Sequence, residues 1–218
     1  MTGTETSKVG IRVWSDYVCP FCMLAEGPLH EATHDLDVEI EWMPFELRPH
    51  PVPTLRPEDE YLPEVWARSV YPTARRMGVD ITLPTVSPQP YTRLAFEGYQ
   101  YAAEHGKAAA YTPRVLRAFF QENRDIGQLD VLADIASELG LDAAGFAQAL
   151  TAGTYTEAHQ EALRTAEANR ISAVPTIIIG ERHRLEGVPA AAQIRKAVLD
   201  AQAEQAVDRG AVCGVDGC

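Results

Sequence analysis

The sequence predicts an α/β fold in which both ends of the chain build one small sandwich and an all-helical segment lies between them. Three observations lead to this prediction: the chain opens as strand, helix, strand; it closes as strand, strand, helix; and the middle has only helical spacing of apolar residues. We therefore expect residues 8–47 and 166–205 to be the two halves of one domain. Residues 48–165 would be an insertion, and residues 206–218 a flexible tail that contains cysteine.

The opening strand and helix follow from two different periodicities. Apolar residues alternate from Val9 through Val13, which is typical of a strand, and a three-to-four spacing begins in the segment CPFCMLAEGPLHEATHDL. Alternation returns in DVEIEWMPFEL, so we expect a second strand that ends at Pro44. The CPFC segment then lies where the first strand leads into the first helix.

The middle of the chain begins with a proline-rich connector and continues as helices. Residues 48–57 read RPHPVPTLRP, a composition typical of an exposed connection. Thr112 before a proline and Asp142 before an alanine run are candidate helix starts, and Gly78 and Gly140 are candidate ends. Aromatic residues in this segment, such as Trp66, are predicted to form its core.

The end of the chain returns to strand patterns. A β-branched run, Thr176–Ile179, follows Pro175, and ERHRLEGV is the expected partner strand of a hairpin that turns at Gly180. The segment PAAAQIRKAVLDAQ predicts a final helix with proline near its start.

Composition excludes several classes of function. The chain has 218 residues, 46% of them hydrophobic, and a formal net charge of -12. This negative charge opposes binding to nucleic acid or to anionic membranes. Neither a secretory leader nor a membrane-spanning run is visible in the sequence, so we expect a cytoplasmic protein. Cysteine pairs in the cytoplasm are more often catalytic or metal-binding than structural.

Two of the four cysteines, Cys19 and Cys22, form the CPFC pair at the predicted helix start. Free backbone N–H groups and the helix dipole stabilise an anion there, and Pro20 is suited to the first helical position. Such a position lowers a cysteine pKa from about 8.5 into the range of roughly 3.5–7.5. We therefore expect Cys19 to be the nucleophile and Cys22 to resolve the mixed disulfide.

Other interpretations of the pair are a zinc site and inert thiols. The CxxC pair could combine with Cys213 and Cys218 in a four-cysteine zinc site, although zinc knuckles rarely open a long amphipathic helix. Residues 30–34 read HEATH, which fits a metalloprotease motif, but Glu26, His30 and His34 share a stripe that we expect to be solvated. Redox chemistry is favoured, and no metal site is predicted.

Several segments together resemble the DsbA-like branch of the thioredoxin superfamily, and more closely its cytoplasmic FrnE group. They are SDYVCPFC, EWMPFELRP, RAFFQENRDI and AVPTIIIG, spread over nearly the whole chain. The resemblance implies a thioredoxin-like fold with a helical insertion. It also implies that Pro175 is cis and faces the cysteines, where Val174 offers backbone to an extended substrate. We further expect Pro20, Phe21 and Thr176 to contact substrate.

The resemblance implies a thiol–disulfide oxidoreductase or isomerase that acts on protein disulfides or on small thiols such as glutathione. No bound cofactor is required, because sulfur carries the chemistry. Phe21 stands where the secreted relatives have histidine, so we expect a less acidic Cys19 and a less oxidising couple. Related glutathione-dependent isomerases and transferases have serine at the first cysteine; they remain an alternative, as does a zinc-binding interaction protein. Oligomeric state is not fixed by the sequence.

Two further features are weaker candidates. The tail ends in CGVDGC, and the FrnE resemblance implies that Cys213 and Cys218 are a second redox pair that relays to the first. Incidental thiols in a disordered tail are the alternative. Asp16, just before the CPFC pair, could accept a proton from Cys22. The interpretation of Asp16 as a surface or capping residue is favoured, and the proton acceptor is kept as a candidate.

Overall fold

A four-stranded mixed sheet lies at the centre of the protein, in a computed structural model that describes residues 8–212. The strands are β1 (Val9–Ser15), β2 (Val38–Pro44), β3 (Thr176–Ile179) and β4 (His183–Glu186). Their order is β2-β1-β3-β4; β1 is parallel to β2 and antiparallel to β3, and β3 and β4 form an antiparallel hairpin. Strands from both ends of the chain therefore share one sheet.

Helices surround this sheet and fill the segment between β2 and β3. Helix α1 spans Pro20–Thr33 and α9 spans Ala191–Val212, beyond residue 206, where we expected the tail to begin. The segment between β2 and β3 contains α2 (Tyr61–Val65), a π-helical turn (Trp66–Val70), α3 (Tyr71–Met77), α4 (Arg93–Glu104), α5 (Ala108–Phe120), α6 (Leu129–Glu138), α7 (Ala143–Thr151) and α8 (Thr156–Ala168). The predicted α/β fold is confirmed.

Strand β1 buries side chains on both faces of the sheet. Val9, Ile11 and Val13 belong to the main core, which α1 and α9 also enter. Trp14 points to the other face, where it packs with Ile178 and residues around the end of α8. The alternation of apolar residues therefore ends at Val13, and from Val13 to Ser15 the strand is buried on both faces.

The ends of the helices agree with the sequence in most places. Gly78 ends α3 in the left-handed conformation, and the Asp142 side chain accepts a hydrogen bond from the Ala144 N–H at the start of α7. The helix start predicted at Thr112 is wrong, because α5 begins at Ala108. The Thr112 hydroxyl pairs with that of Tyr17 at 3.1 Å, so a buried contact uses the group that would have capped the helix.

No helix in residues 8–212 combines the length and the apolar character that a bilayer crossing needs. The many helices of this chain instead bury one face against the sheet or against one another.

The close approach of α4 to its neighbours yields a first prediction. A Cβ added at Gly98 would overlap the Tyr111 hydroxyl and would lie 2.7 Å from the Phe146 ring. We expect Gly98→Ala to lower the free energy of unfolding by about 1–3 kcal/mol, measured by urea titration. In the control Gly10→Ala, the new methyl group meets nothing within 4 Å. Its effect should stay within about 0.5 kcal/mol, and equal effects of the two changes would contradict this account.

Candidate active site

The turn between β1 and α1 places both cysteines at the start of α1. The Cys19 N–H donates to the Asp16 carbonyl at 3.0 Å, and Cys19 itself has the extended backbone of a helix cap (φ -92, ψ 111). Pro20 follows in the first turn, and the Cys22 N–H donates to the Cys19 carbonyl at 3.1 Å. The two sulfurs therefore lie on one side of the first helical turn, as the CPFC spacing predicted.

The two cysteines differ in access, and burial changes the acidity of Cys22. Cys22 is completely buried, whereas 6% of Cys19 is exposed and this residue lines a cavity. Burial, and then the proximity of the Cys19 sulfur, raises the pKa of Cys22 well above its usual value; the Ser15 hydroxyl and the Asp16 N–H oppose this shift only in part. Cys22 therefore holds its proton at neutral pH, and Cys19 is the sulfur that a substrate can reach.

The loop before β3 contacts Cys19 directly. The Cys19 thiol donates to the Val174 carbonyl at 3.6 Å, although the two residues are 155 positions apart. The Val174–Pro175 peptide bond is cis, as the resemblance implied. The Thr176 side chain is completely buried, and its hydroxyl donates to the Ala173 carbonyl at 2.8 Å, so it fixes the loop and is not open to a ligand.

Asp16 is a buried carboxyl next to the cysteines, not a surface residue. Only 1% of it is exposed, and its Oδ2 accepts a hydrogen bond from the Leu47 N–H at 2.8 Å. Burial raises the pKa of Asp16 to about 6, although the hydrogen bond from Leu47 lowers it. A carboxyl with this pKa can exchange a proton near neutral pH.

Behind Asp16 lies a buried pair that the sequence did not reveal. Glu46 Oε1 and His159 Nε2 are 2.6 Å apart, and both side chains are buried. His159 Nδ1 has no hydrogen-bond partner among the described residues, and its ring stacks on Phe96 at 5.7 Å. The negative charge of Glu46 contributes to the raised pKa of Asp16. A glutamate and a histidine 113 residues apart share no local pattern that could have indicated this contact.

A cavity of about 260 Å³ opens in front of Cys19. Its floor is Asp16 together with the CPFC turn, and its walls come from the connector, α2, the π-helical turn and the loop before α4. The lining residues are Asp16, Val18, Cys19, Pro20, Phe21, Leu47, Arg48, Thr54, Leu55, Tyr61, Leu62, Val65, Trp66, Gln89, Pro90 and Thr92. Most of the wall therefore belongs to the predicted insertion, to which sequence reasoning gave only a structural role.

The structure brings most of the predicted site residues together. Cys19, Pro20, Phe21 and Asp16 line the cavity, and the carbonyl of Val174, which precedes the cis Pro175, contacts the Cys19 sulfur. Thr176 is held away from the cavity, as described above. The tail cysteines, Cys213 and Cys218, lie outside the described residues.

The stripe around the HEATH segment is only partly solvated. His30 and His34 are exposed as expected. One carboxylate oxygen of Glu26 is buried and has no partner among residues 8–212, and burial raises the pKa of Glu26 to about 7. Within residues 8–212, no group of three or more histidine, cysteine, aspartate or glutamate side chains is arranged to hold a metal ion.

Comparison with known proteins places the chain in a family. A model of the DSBA-like thioredoxin domain matches residues 10–199. The uncharacterized protein YwbO of Bacillus subtilis (strain 168) is 47% identical over 196 residues, which cover 89% of this chain and 98% of that protein.

Two solved structures have the same architecture. The probable DsbA oxidoreductase SCO1869 of Streptomyces coelicolor has a TM-score of 0.74 and 21% identity, covering 90% of this chain and 91% of that one. The cytosolic disulfide reductase DsbM of Pseudomonas aeruginosa, solved with GSH, has a TM-score of 0.64 and 19% identity, covering 91% and 98%. The predicted thioredoxin-like fold is thereby confirmed. Because the matching model spans most of its length, the chain belongs to the DSBA-like thioredoxin domain family.

Proposed function

We propose that this protein is a thiol–disulfide oxidoreductase whose reactive groups are Cys19 and Cys22. One observation carries the proposal: Cys19 lines an open cavity at the start of α1, and Cys22 lies one turn behind it, fully buried and with a raised pKa. This arrangement separates a sulfur that can attack a substrate from one that can only attack Cys19.

The reaction proceeds through a mixed disulfide. The Cys19 thiolate attacks one sulfur of the substrate disulfide, so that a Cys19–substrate bond forms and the other half of the substrate leaves as a thiolate that takes a proton. Cys22 then loses its proton and attacks the Cys19 sulfur, which releases the second half. Two electrons pass from the cysteine pair to the substrate, and the reverse sequence oxidises a dithiol.

Asp16 is the proposed proton acceptor for Cys22. The buried thiol must lose a proton to attack, and the raised pKa makes this loss unfavourable without a nearby base. Asp16 is the residue whose N–H approaches the Cys22 sulfur, and its own carboxyl titrates at about pH 6. It can therefore take the proton when the mixed disulfide is resolved and return it in the reverse reaction.

The substrate is a protein disulfide or a small thiol such as glutathione. Pro20 and Phe21 line the cavity, and Val174 and Pro175 would contact an extended substrate on the other side of Cys19. The GSH in the DsbM structure favours a small thiol as one partner. The FrnE-type assignment, the cytoplasmic location and the division into a sandwich and an insertion at residues 48–165 are parts of the same proposal.

Substitution of each cysteine tests the proposed chemistry. We expect the wild-type protein to reduce insulin and to reactivate scrambled ribonuclease, and Cys19→Ser to lose both activities because the attacking sulfur is gone. Cys22→Ser should still attack a disulfide but should accumulate the mixed disulfide, detectable by mass spectrometry.

Equal activity of wild type and Cys19→Ser would overturn the assignment. Thiol-dependent turnover without net redox change would favour a glutathione-dependent isomerase, and stoichiometric zinc in the purified protein would favour the zinc-binding alternative.

The charge of Asp16 yields a prediction about pH. The raised pKa means that the folded state binds the Asp16 proton more tightly than the unfolded state does. The stability that this proton contributes is fully present below the unfolded-state pKa of 3.8 and is lost as the pH rises through about 6. Asp16→Asn keeps an acceptor for the Leu47 N–H but has no charge to bury. At pH 8 it should therefore raise the free energy of unfolding by about 3 kcal/mol, and at pH 5 by about half as much.

Urea titration of the reduced proteins at the two pH values measures this difference. Asp37→Asn is the matched control, because the Asp37 side chain is 57% exposed and its ion pair with Lys8 lies at the surface, so its replacement should have only a small effect. A gain for Asp16→Asn that is the same at pH 5 and pH 8 would contradict the buried charge.

The proposed tail relay is tested by trapping. If Cys213 and Cys218 exchange with the first pair, Cys22→Ser should form a disulfide between Cys19 and one tail cysteine under mild oxidation. Peptide mapping by mass spectrometry identifies the link, and Cys22→Ser with both tail cysteines replaced by serine is the control. The intramolecular relay is wrong if only links between molecules or to small thiols are found.

A further inference from the structure

Gln89 is a buried polar side chain in the Cys19 cavity that the mechanism above does not use. Only 6% of the residue is exposed, and it lines the same cavity as Cys19. Its carboxamide makes no hydrogen bond within the described part of the chain, and the amide atoms are not sealed off from solvent. The carboxamide is therefore available to a ligand in the cavity.

The backbone around Gln89 is fixed, so the side chain is held in place. Prolines precede and follow it, and each has a fixed φ angle. The Gln89 N–H donates to the Leu55 carbonyl at 2.8 Å, which joins this loop to the connector that forms the neighbouring wall. A ligand that pairs with the carboxamide would therefore lose little side-chain or loop entropy in binding.

The chemistry of the cavity limits what that ligand can be. Apart from Gln89, its walls are largely apolar, and Arg48 is the one cation among the described residues that line it. A carboxamide offers one acceptor and two donors, which matches the N–H and C=O of a peptide group. Gln89 and Pro90 also border a second cavity of about 750 Å³, so Gln89 lies between two spaces that could hold parts of one extended ligand.

We propose that Gln89 is a specificity-determining residue that hydrogen-bonds a peptide group of the substrate next to the sulfur attacked by Cys19. The protein would thus prefer disulfides of cysteine-containing peptides to disulfides that lack a peptide group. This inference rests on the proposed function, because it needs Cys19 to be the attacking sulfur. The carboxamide takes no part in bond breaking, so it affects binding and not the sulfur chemistry.

A single-turnover experiment isolates this effect. The reduced protein is mixed with excess disulfide. In the reaction, one protein dithiol and one substrate disulfide give one protein disulfide and two substrate thiols. One substrate is the disulfide of a Gly-Cys-Gly peptide blocked at both ends, and the other is bis(2-hydroxyethyl) disulfide. Acid quenching, alkylation and mass spectrometry follow the loss of protein thiols.

Gln89→Leu removes the hydrogen bonds while keeping a similar side-chain volume. We expect the half-saturating concentration of the peptide disulfide to rise about tenfold, because one or two hydrogen bonds are lost. The maximal rate should not change. The rate with bis(2-hydroxyethyl) disulfide should be unchanged, which also shows that the variant is folded. Gln89→Met, a second apolar replacement, should behave in the same way, and Gln148→Leu, at an exposed position on α7, should have no effect.

The outcomes separate the two proposals. If neither disulfide oxidises the cysteine pair of the wild-type protein, the proposed function fails. If it reacts with both disulfides and the Gln89 variants slow both equally or neither, the function stands and the role of Gln89 is overturned.

Discussion

The antiparallel pairing of β1 with β3 is the constraint on which the rest of the site depends. Trp14 lies opposite Thr176, so the end of β1 and the start of β3 meet at the same edge of the sheet. The chain leaves β1 through the CPFC turn and enters β3 through the Val174–Pro175 loop. The pairing therefore brings the Cys19 sulfur to the Val174 carbonyl across 155 residues. A shift of β3 by one residue against β1 would turn Ile178 to the face opposite Trp14 and would move the Val174–Pro175 loop relative to the Cys19 sulfur.

Burial makes the ionisable groups between β1 and α1 differ from one another. The end of β1 and the first turn of α1 are buried, so Ser15, Asp16 and Cys22 have almost no contact with water. Cys19 lies at the edge of a cavity. Withdrawal from water disfavours ionisation of both acids, the carboxyl and the thiol, and the neighbouring Glu46 adds to the effect on Asp16. With its pKa raised to about 6, the Asp16 carboxylate is a stronger base than an exposed aspartate. A surface carboxylate with an ordinary pKa would take that proton much less readily.

The sequence was sufficient for features that depend on neighbouring residues. The strands, the cysteine pair at a helix start, the Asp142 cap and the hairpin turn at Gly180 follow from local pattern, and the structure contains all of them. Features that depend on distant pairs were missed. The predicted start of α5 is wrong because a tertiary contact uses Thr112, and the pair of His159 with Glu46 has no local pattern because the two residues lie 113 positions apart. A single glutamine between prolines, such as Gln89, likewise has no local signature.

Local contacts surround the Cys22 sulfur, whereas contacts between distant parts of the chain build the cavity beside Cys19. The groups that act on Cys22 come from β1 and the CPFC turn, within a few residues of one another. The wall of the cavity beside Cys19 comes instead mainly from the connector, α2, the π-helical turn and the loop before α4, which reach the cysteines only through tertiary packing. The cavity wall and the immediate surroundings of Cys22 therefore come from different parts of the chain. Residues of the wall can change while the groups that set the pKa of Cys22 stay the same.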